Sequence, residues 1–227
     1  MTAVTTPRQL ALTLPHGESF AREDFLDDES NAQAAALIDQ WPDWPSRAAL
    51  LVGPEGSGKS HLAAIWAERS GARLLAGRAL NTAALPVAMA TGALVIEDIA
   101  PGAIDESALF HLLNMVKEHE GHLLITARSA PAGWTLRLPD LASRLRALPM
   151  VTLAAPGDPL LHAVMAKLFA DRQIVVDPAL LDYLLNRIER SFSAARAMVD
   201  QLDRESLRRK RPVTRALAAE LLLLKET

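Results

Sequence analysis

The sequence predicts an α/β fold, a parallel sheet flanked by helices, followed by a small all-helical domain. Three observations carry this. Short apolar runs alternate with helical stretches between residues 48 and 153, the pattern of helix-covered parallel sheets. A glycine-rich octapeptide, Gly53-Pro54-Glu55-Gly56-Ser57-Gly58-Lys59-Ser60, follows the first of those runs directly. Beyond residue 157 the extended runs cease and only helical periodicity remains.

Taken in order, residues 1–19 read as a flexible tail with one Leu-bearing patch from Gln9 to Leu14, and the folded body is expected from Phe20. Ala and Leu at helical spacing predict a helix over 31–41, ended by Pro42 and Pro45. Strand 48–52 leads into the octapeptide and a helix over 59–69. A short strand is expected at 73–76, an Ala-rich helix at 79–90, and a buried strand at 93–96 ending in Glu97-Asp98. Asp105 caps a helix over 106–119, with Leu109, Leu112, Leu113 and Val116 on its apolar face. Strands follow at 122–126 and 151–153. Pro156-Gly157-Asp158-Pro159 is the expected linker, with Asp158 as cap of a helix over 159–171. Helices at 178–189, at 193–208 behind Ser193 and at 214–224 behind Thr214 complete the chain. The expected domains are a tail over 1–19, an α/β domain over 20–156 and a helical domain over 157–227.

The octapeptide carries the chemistry. It fits the phosphate-binding pattern G-x-x-x-x-G-K-[ST] between a strand and a helix. Its glycines permit a backbone whose amides converge on phosphate oxygens at a helix N-terminus. Lys59 is expected to bridge the β- and γ-phosphates of ADP or ATP, and Ser60 to ligate Mg²⁺. Glu97 and Asp98, at the end of a neighbouring strand, supply the carboxylates such a site needs: Glu97 facing the metal, Asp98 polarising the attacking water. Thr126, at the end of the next strand, lies within reach of the γ-phosphate.

Composition narrows the remainder. Half of the 227 residues are hydrophobic, enough for a core, and no window approaches a membrane span. With no basic and apolar leader, a cytoplasmic protein is expected, without membrane contact. Cysteine is absent, which excludes disulfides and thiolate metal sites. Residues 157–227 hold 12 Lys/Arg against 10 Asp/Glu, too small a bias for direct duplex binding. The run Arg208-Arg209-Lys210-Arg211 reads first as a solvated helix end and second as a contact to a partner or to DNA. The histidines never take supported metal-ligand spacing, and Trp41, Trp44, Trp66 and Trp134 read as core or rim packing.

As a whole the chain resembles the AAA+ ATPases and, within them, the DnaA replication-initiator family. The resemblance rests on GPEGSGKSHL (53–62), LVIEDI (94–99), LFHLLNMVKEHEGHLLITARSAP (109–131), LPDLASRL (138–145) and SFSAARAMVDQL (191–202). It implies an AAA+ P-loop domain followed by a helical lid. The initiators carry a helix-turn-helix domain beyond the lid, whereas this chain stops at Thr227. The expectation therefore narrows to the Hda branch, whose members couple the sliding clamp to inactivation of the initiator.

That resemblance implies further roles. Gln9-Leu10-Ala11-Leu12-Thr13-Leu14 fits the clamp-binding form Q-x-x-L-x-[LF], in which Gln9, Leu10, Leu12 and Leu14 would contact the clamp. Arg144 matches the arginine finger that reaches a neighbouring subunit's nucleotide, here that of the DnaA AAA+ domain. Arg196 matches the sensor 2 arginine of the lid. Asn31 falls where the family recognises the base, near Phe20 and Phe25, and His61 follows the loop directly. DNA is reached only indirectly, and a homo-oligomer is allowed. The chain departs from the initiators in Glu97, one methylene longer than their aspartate, and in Thr126-Ala127-Arg128 at sensor 1. Both imply weak intrinsic hydrolysis, and the resemblance implies an ADP-bound regulator. Two readings compete: a self-sufficient ATPase such as a DnaC-type helicase loader, which has no use for a clamp peptide, and a DNA-binding initiator fragment.

Overall fold

A computed structural model describes residues 21–223. The tail peptide and Phe20 lie outside them. The first helix, α1 (Ala32–Asp39), precedes strand β1 (Ala48–Val52), and the glycine-rich loop then opens α2 (Lys59–Ser70). Strand β2 (Arg73–Ala76) and a one-turn helix α3 (Leu85–Ala88) lead to β3 (Ala93–Ile99), α4 (Glu106–Glu118) and β4 (His122–Ala127). Helix α5 (Pro139–Ala147) and β5 (Met150–Thr152) complete the α/β part. Four helices follow: α6 (Asp158–Asp171), α7 (Pro178–Leu185), α8 (Phe192–Arg209) and α9 (Arg215–Leu223).

The five strands pair in the order β2-β3-β4-β1-β5, all parallel. Buried on both faces, β1 needs no polar alternation, and the run Ala-Ala-Leu-Leu-Val supplies none. Ala48, Leu50, Leu94, Ile96, Leu123 and Ile125 pack one face against α4 and α5. Ala49, Leu51, Val95 and Leu124 pack the other against α1 and α2, with Trp66 fully enclosed. A third core, built on Phe169, Leu184, Met198 and Leu202, holds α6 to α9 together. Truncating any of these fully buried leucines to alanine costs about 2–5 kcal/mol.

In this order β4 stands between β1 and β3, so the loop after β1 and the ends of β3 and β4 meet at one edge of the sheet. That edge is where ligands settle in open parallel sheets.

Several expected elements are corrected. Residues 79–90 do not form one helix: Gly77–Ala79 and Thr82–Ala84 are 3₁₀ turns, and Asn81 accepts from the Ala84 N–H at 3.0 Å. Pro86, in the first turn of α3, cannot continue a preceding helix because it lacks an N–H. Gly157 rather than Asp158 caps α6, and Asp158 bonds Arg190. Ser191 rather than Ser193 caps α8, accepting from the Ala194 N–H at 3.1 Å. Helix α7 stops at Leu185, before Arg187 and Glu189, and the last strand is Met150–Thr152.

Candidate nucleotide site

The loop's glycines are fixed by what surrounds them. A Cβ on Gly53 would stand 2.5 Å from the Leu153 carbonyl oxygen, which no side chain tolerates. Gly58, at φ +97°, is the N-cap of α2, and Gly56 takes φ +71°. A Cβ on Gly56 would lie 2.4 Å from the Cβ of Ser191. The loop is thus pressed against the start of α8, and the Phe192 N–H donates to the Gly56 carbonyl at 3.0 Å.

Lys59 is buried to 8% exposure, and its Nζ donates to the carbonyls of Gly53 at 2.8 Å and Pro54 at 2.6 Å. It also reaches the buried Ser57 hydroxyl at 3.4 Å. Burial pushes the Lys59 ammonium below its ordinary range, while the nearby Asp98 carboxylate pulls it back. Ser60 stands exposed one residue further along.

The acids of β3 diverge. Glu97 lines the cleft half-buried, and its Oε1 is enclosed without a hydrogen-bond partner. Asp98 sits in left-handed backbone at φ +53°, where the β3–β4 register shifts between Ile96 and Ile99. Its N–H donates to the Thr126 hydroxyl at 2.9 Å. Arg128, just past β4, takes both Asp98 oxygens, Nε to Oδ1 at 3.1 Å and Nη2 to Oδ2 at 3.2 Å. It also reaches Glu55 of the loop at 2.6 Å. Asp98 is the main cause holding this guanidinium above its ordinary pKa. In sequence Arg128 stood out only as a departure at sensor 1, and its partners are 30 and 73 residues away.

Between the α/β part and the helices lies a cleft of about 1560 Å³. Phe25, Leu26, Lys59, Ser60, His61 and Glu97 line one wall, and Val164, Leu168, Phe192 and Arg196 the other. Phe25 packs edge-on to His61 with ring centroids 5.3 Å apart. At the rim Lys167 of α6 meets Asp24 at 2.7 Å across the two walls. A smaller cavity of about 430 Å³, lined by Trp44, Arg47 and His122 among others, lies at the opposite edge of the sheet.

Residues 162–222 match the family model described as Hda, lid domain. The helical domain is similar to the lid domain of Hda over that span. Over the larger span the chain is similar to domain III of the replication initiation protein DnaA from Thermotoga maritima, with a TM-score of 0.73 at 16% identity over 91% of this chain and 96% of that one. DnaA from Aquifex aeolicus bound to AMPPCP gives 0.65 at 15% identity, over 81% and 65%. The Holliday junction branch migration motor RuvB of Thermotoga maritima gives 0.72 at 14%, over 91% and 72%. At such identities the likeness is one of fold, the AAA+ fold of a parallel sheet carrying a helical lid.

Set against this geometry, the expected residues divide. Gly56, Gly58, Lys59, Ser60, His61, Glu97 and, from the helical domain, Arg196 share the cleft wall. Thr126 is buried behind it, bracing Asp98. Asn31 is not on the wall. It is 3% exposed, its amide donates to the Leu26 carbonyl and its Oδ1 accepts from the Asp28 N–H, so it shapes the turn that presents Phe25 and Leu26. Those two residues, not Asn31, border the cleft, a role the poorly patterned 20–31 segment did not disclose.

Arg144 lies outside the cleft, against Phe110 and Asn114 of α4. In the helical domain's basic run, Arg208 and Arg209 both pair with Glu205, and Arg209 also with Glu220. Gln9, Leu10, Leu12 and Leu14 lie outside the described residues. Among those described, no group of three or more acids or histidines could hold a metal by itself, and no helix is long and apolar enough to cross a membrane.

Proposed function

We propose that this protein is a nucleotide-bound AAA+ adaptor that docks on the DNA sliding clamp and promotes hydrolysis of ATP held by DnaA, so restraining replication initiation. The observation that supports the proposal is the Hda-like lid seated on the glycine-rich loop, with Phe192 bonded to Gly56 and Arg196 in the shared cleft.

The cleft suits ADP or ATP. Phe25, Leu26 and His61 offer an apolar slot for the base, and the glycine loop and Lys59 lead to the start of α2, where a phosphate chain is favoured by the backbone amides. Mg²⁺ fits the donor set: the exposed Ser60 hydroxyl and the unpartnered Glu97 oxygen are hard oxygen ligands beside the loop lysine. When bound, it supplies neutralisation of charge on the phosphates. Arg144, turned away from its own cleft, suits service in trans, and the tail pattern at Gln9 to Leu14 suits a clamp groove. The lid match favours this reading over a self-sufficient helicase-loader ATPase, and a cytoplasmic setting follows from it.

The test mixes the protein and DNA-loaded clamp with radiolabelled ATP prebound to DnaA. Hydrolysis should depend on this protein and fall about 10³-fold in Arg144→Ala. Removing residues 1–15 should abolish clamp pull-down. Normal stimulation by Arg144→Ala, or collapse of the protein's own turnover instead, would return the reading to the self-sufficient ATPase.

A further inference from the structure

We infer that Arg128 is a positioning residue that holds Asp98 out of use, so that the site retains nucleotide rather than turning ATP over. The inference rests on the reading of the cleft as an ATP or ADP site.

Three elements converge on this guanidinium. Strand β4 lies between β1, which leads into the loop, and β3, which bears the acids, so the residue just beyond its end can reach both. Arg128 reaches Asp98 through a two-pronged fork, at 3.1 and 3.2 Å, and Glu55 of the loop through its remaining nitrogen at 2.6 Å. Meanwhile the Asp98 N–H is pinned to the buried Thr126 hydroxyl at the bulge in β3. The carboxylate is therefore fixed from its backbone and from its tip.

Arg128 and Asp98 are more than half exposed, so water weakens their Coulomb attraction. What the fork contributes is geometry: a planar donor pair matched to a carboxylate fixes its orientation as a single ammonium would not.

The consequence lies in the hydrolytic step. The water oxygen bonds to the γ-phosphorus as that phosphorus parts from the β–γ bridging oxygen, whose electron pair leaves on ADP. The water's proton passes by way of a carboxylate to the released phosphate. A general base must be free to lie within hydrogen-bond reach of that water. Asp98, gripped at both oxygens and sharing its charge with Arg128, is not free to do so. Glu97 keeps its place on the cleft wall, so nucleotide binding does not need Arg128 to move.

The experiment compares the full chain with Arg128→Gln by steady-state ATP hydrolysis and by titration with fluorescent ADP. The variant should hydrolyse ATP on the order of a hundredfold faster, the lower end of what a freed general base supplies. Its ADP affinity should stay within about threefold. Adding Asp98→Asn should return the rate to that of the parent, which mere loosening of the loop would not do. Arg128→Lys, with one point donor in place of the fork, should fall between. An unchanged or lower rate in Arg128→Gln, or a raised rate that survives Asp98→Asn, overturns the inference. If the parent chain itself fails to bind fluorescent ADP, the nucleotide reading falls and takes the inference with it.

Discussion

The Arg144 guanidinium stands 4.6 Å from the centroid of the Phe110 ring and donates to the Asn114 amide oxygen at 2.5 Å. Phe110 and Asn114 are one turn apart on α4, so a single helical face cradles the arginine. A long, rotamer-rich side chain is thereby ordered before any partner arrives. Under the proposed role in trans, ordering in advance would lower the entropy cost of reaching another subunit's nucleotide.

Phe110→Ala is therefore expected to weaken Arg144-dependent stimulation of DnaA hydrolysis without touching this protein's own ADP binding. An exposed cation–π contact contributes about 0.5–1 kcal/mol, so the loss should be a fewfold, well short of that in Arg144→Ala. Mixing assays with prebound labelled ATP measure it. Equal losses in the two variants would mean that Phe110 contacts the partner directly.

Lys59→Ala should weaken ADP binding by about 2–4 kcal/mol, because it removes the loop's one fixed cation from a desolvated site. Equilibrium titration with fluorescent ADP decides the matter. Affinity within about twofold of the parent would remove the phosphate-loop assignment.

Gly56→Ala tests the seat of the lid. The new methyl meets the Ser191 Cβ at 2.4 Å while the backbone is held at φ +71°. Left-handed strain alone costs about 1–3 kcal/mol, and α8 must also back away from the loop. Faster release of fluorescent ADP in stopped-flow and a lowered melting temperature are expected together. An unchanged release rate would show that lid contact does not govern retention.

At the other end of the sheet, His122 is held below its ordinary pKa of 6.5, first by burial and then by Arg47, with only partial relief from a backbone hydrogen bond at Pro42. Its folded pKa is lower than its unfolded one, so the unfolded chain takes up the proton first as pH falls. The stability His122 contributes is present above about pH 6.5 and lost as pH drops through the folded value. Melting curves between about pH 7.5 and pH 5.5 should show a steeper loss for the parent than for His122→Gln. Parallel curves would exclude the histidine.

How much was legible in the chain depended on how local the determining physics is. Strand 48–52, the loop's glycines, Lys59 and the Asp105 cap follow from residue type and spacing within a few positions, and each stands where the sequence places it. The helix over 79–90 failed because composition favoured it while Asn81 and Pro86, single residues with specific hydrogen-bonding chemistry, broke it. The cap of α8 moved from Ser193 to Ser191, where the start of that helix docks on Gly56, a contact across more than 130 residues that no local pattern encodes. Arg128 is the clearest case. From the sequence it is one cation after a strand; its hold on Glu55 and Asp98 exists only because the parallel sheet sets β4 between β1 and β3. Asn31 makes the converse point, since position in the chain suggested a ligand contact and burial turned its amide inward. Motif and periodicity determined that this chain has a glycine-rich loop of the phosphate-binding pattern in an α/β sheet, because those depend on neighbours in sequence. Which charges meet at the loop, and which arginine faces away from it, was decided by strand order and lid docking, because electrostatic partners are chosen by distance in space.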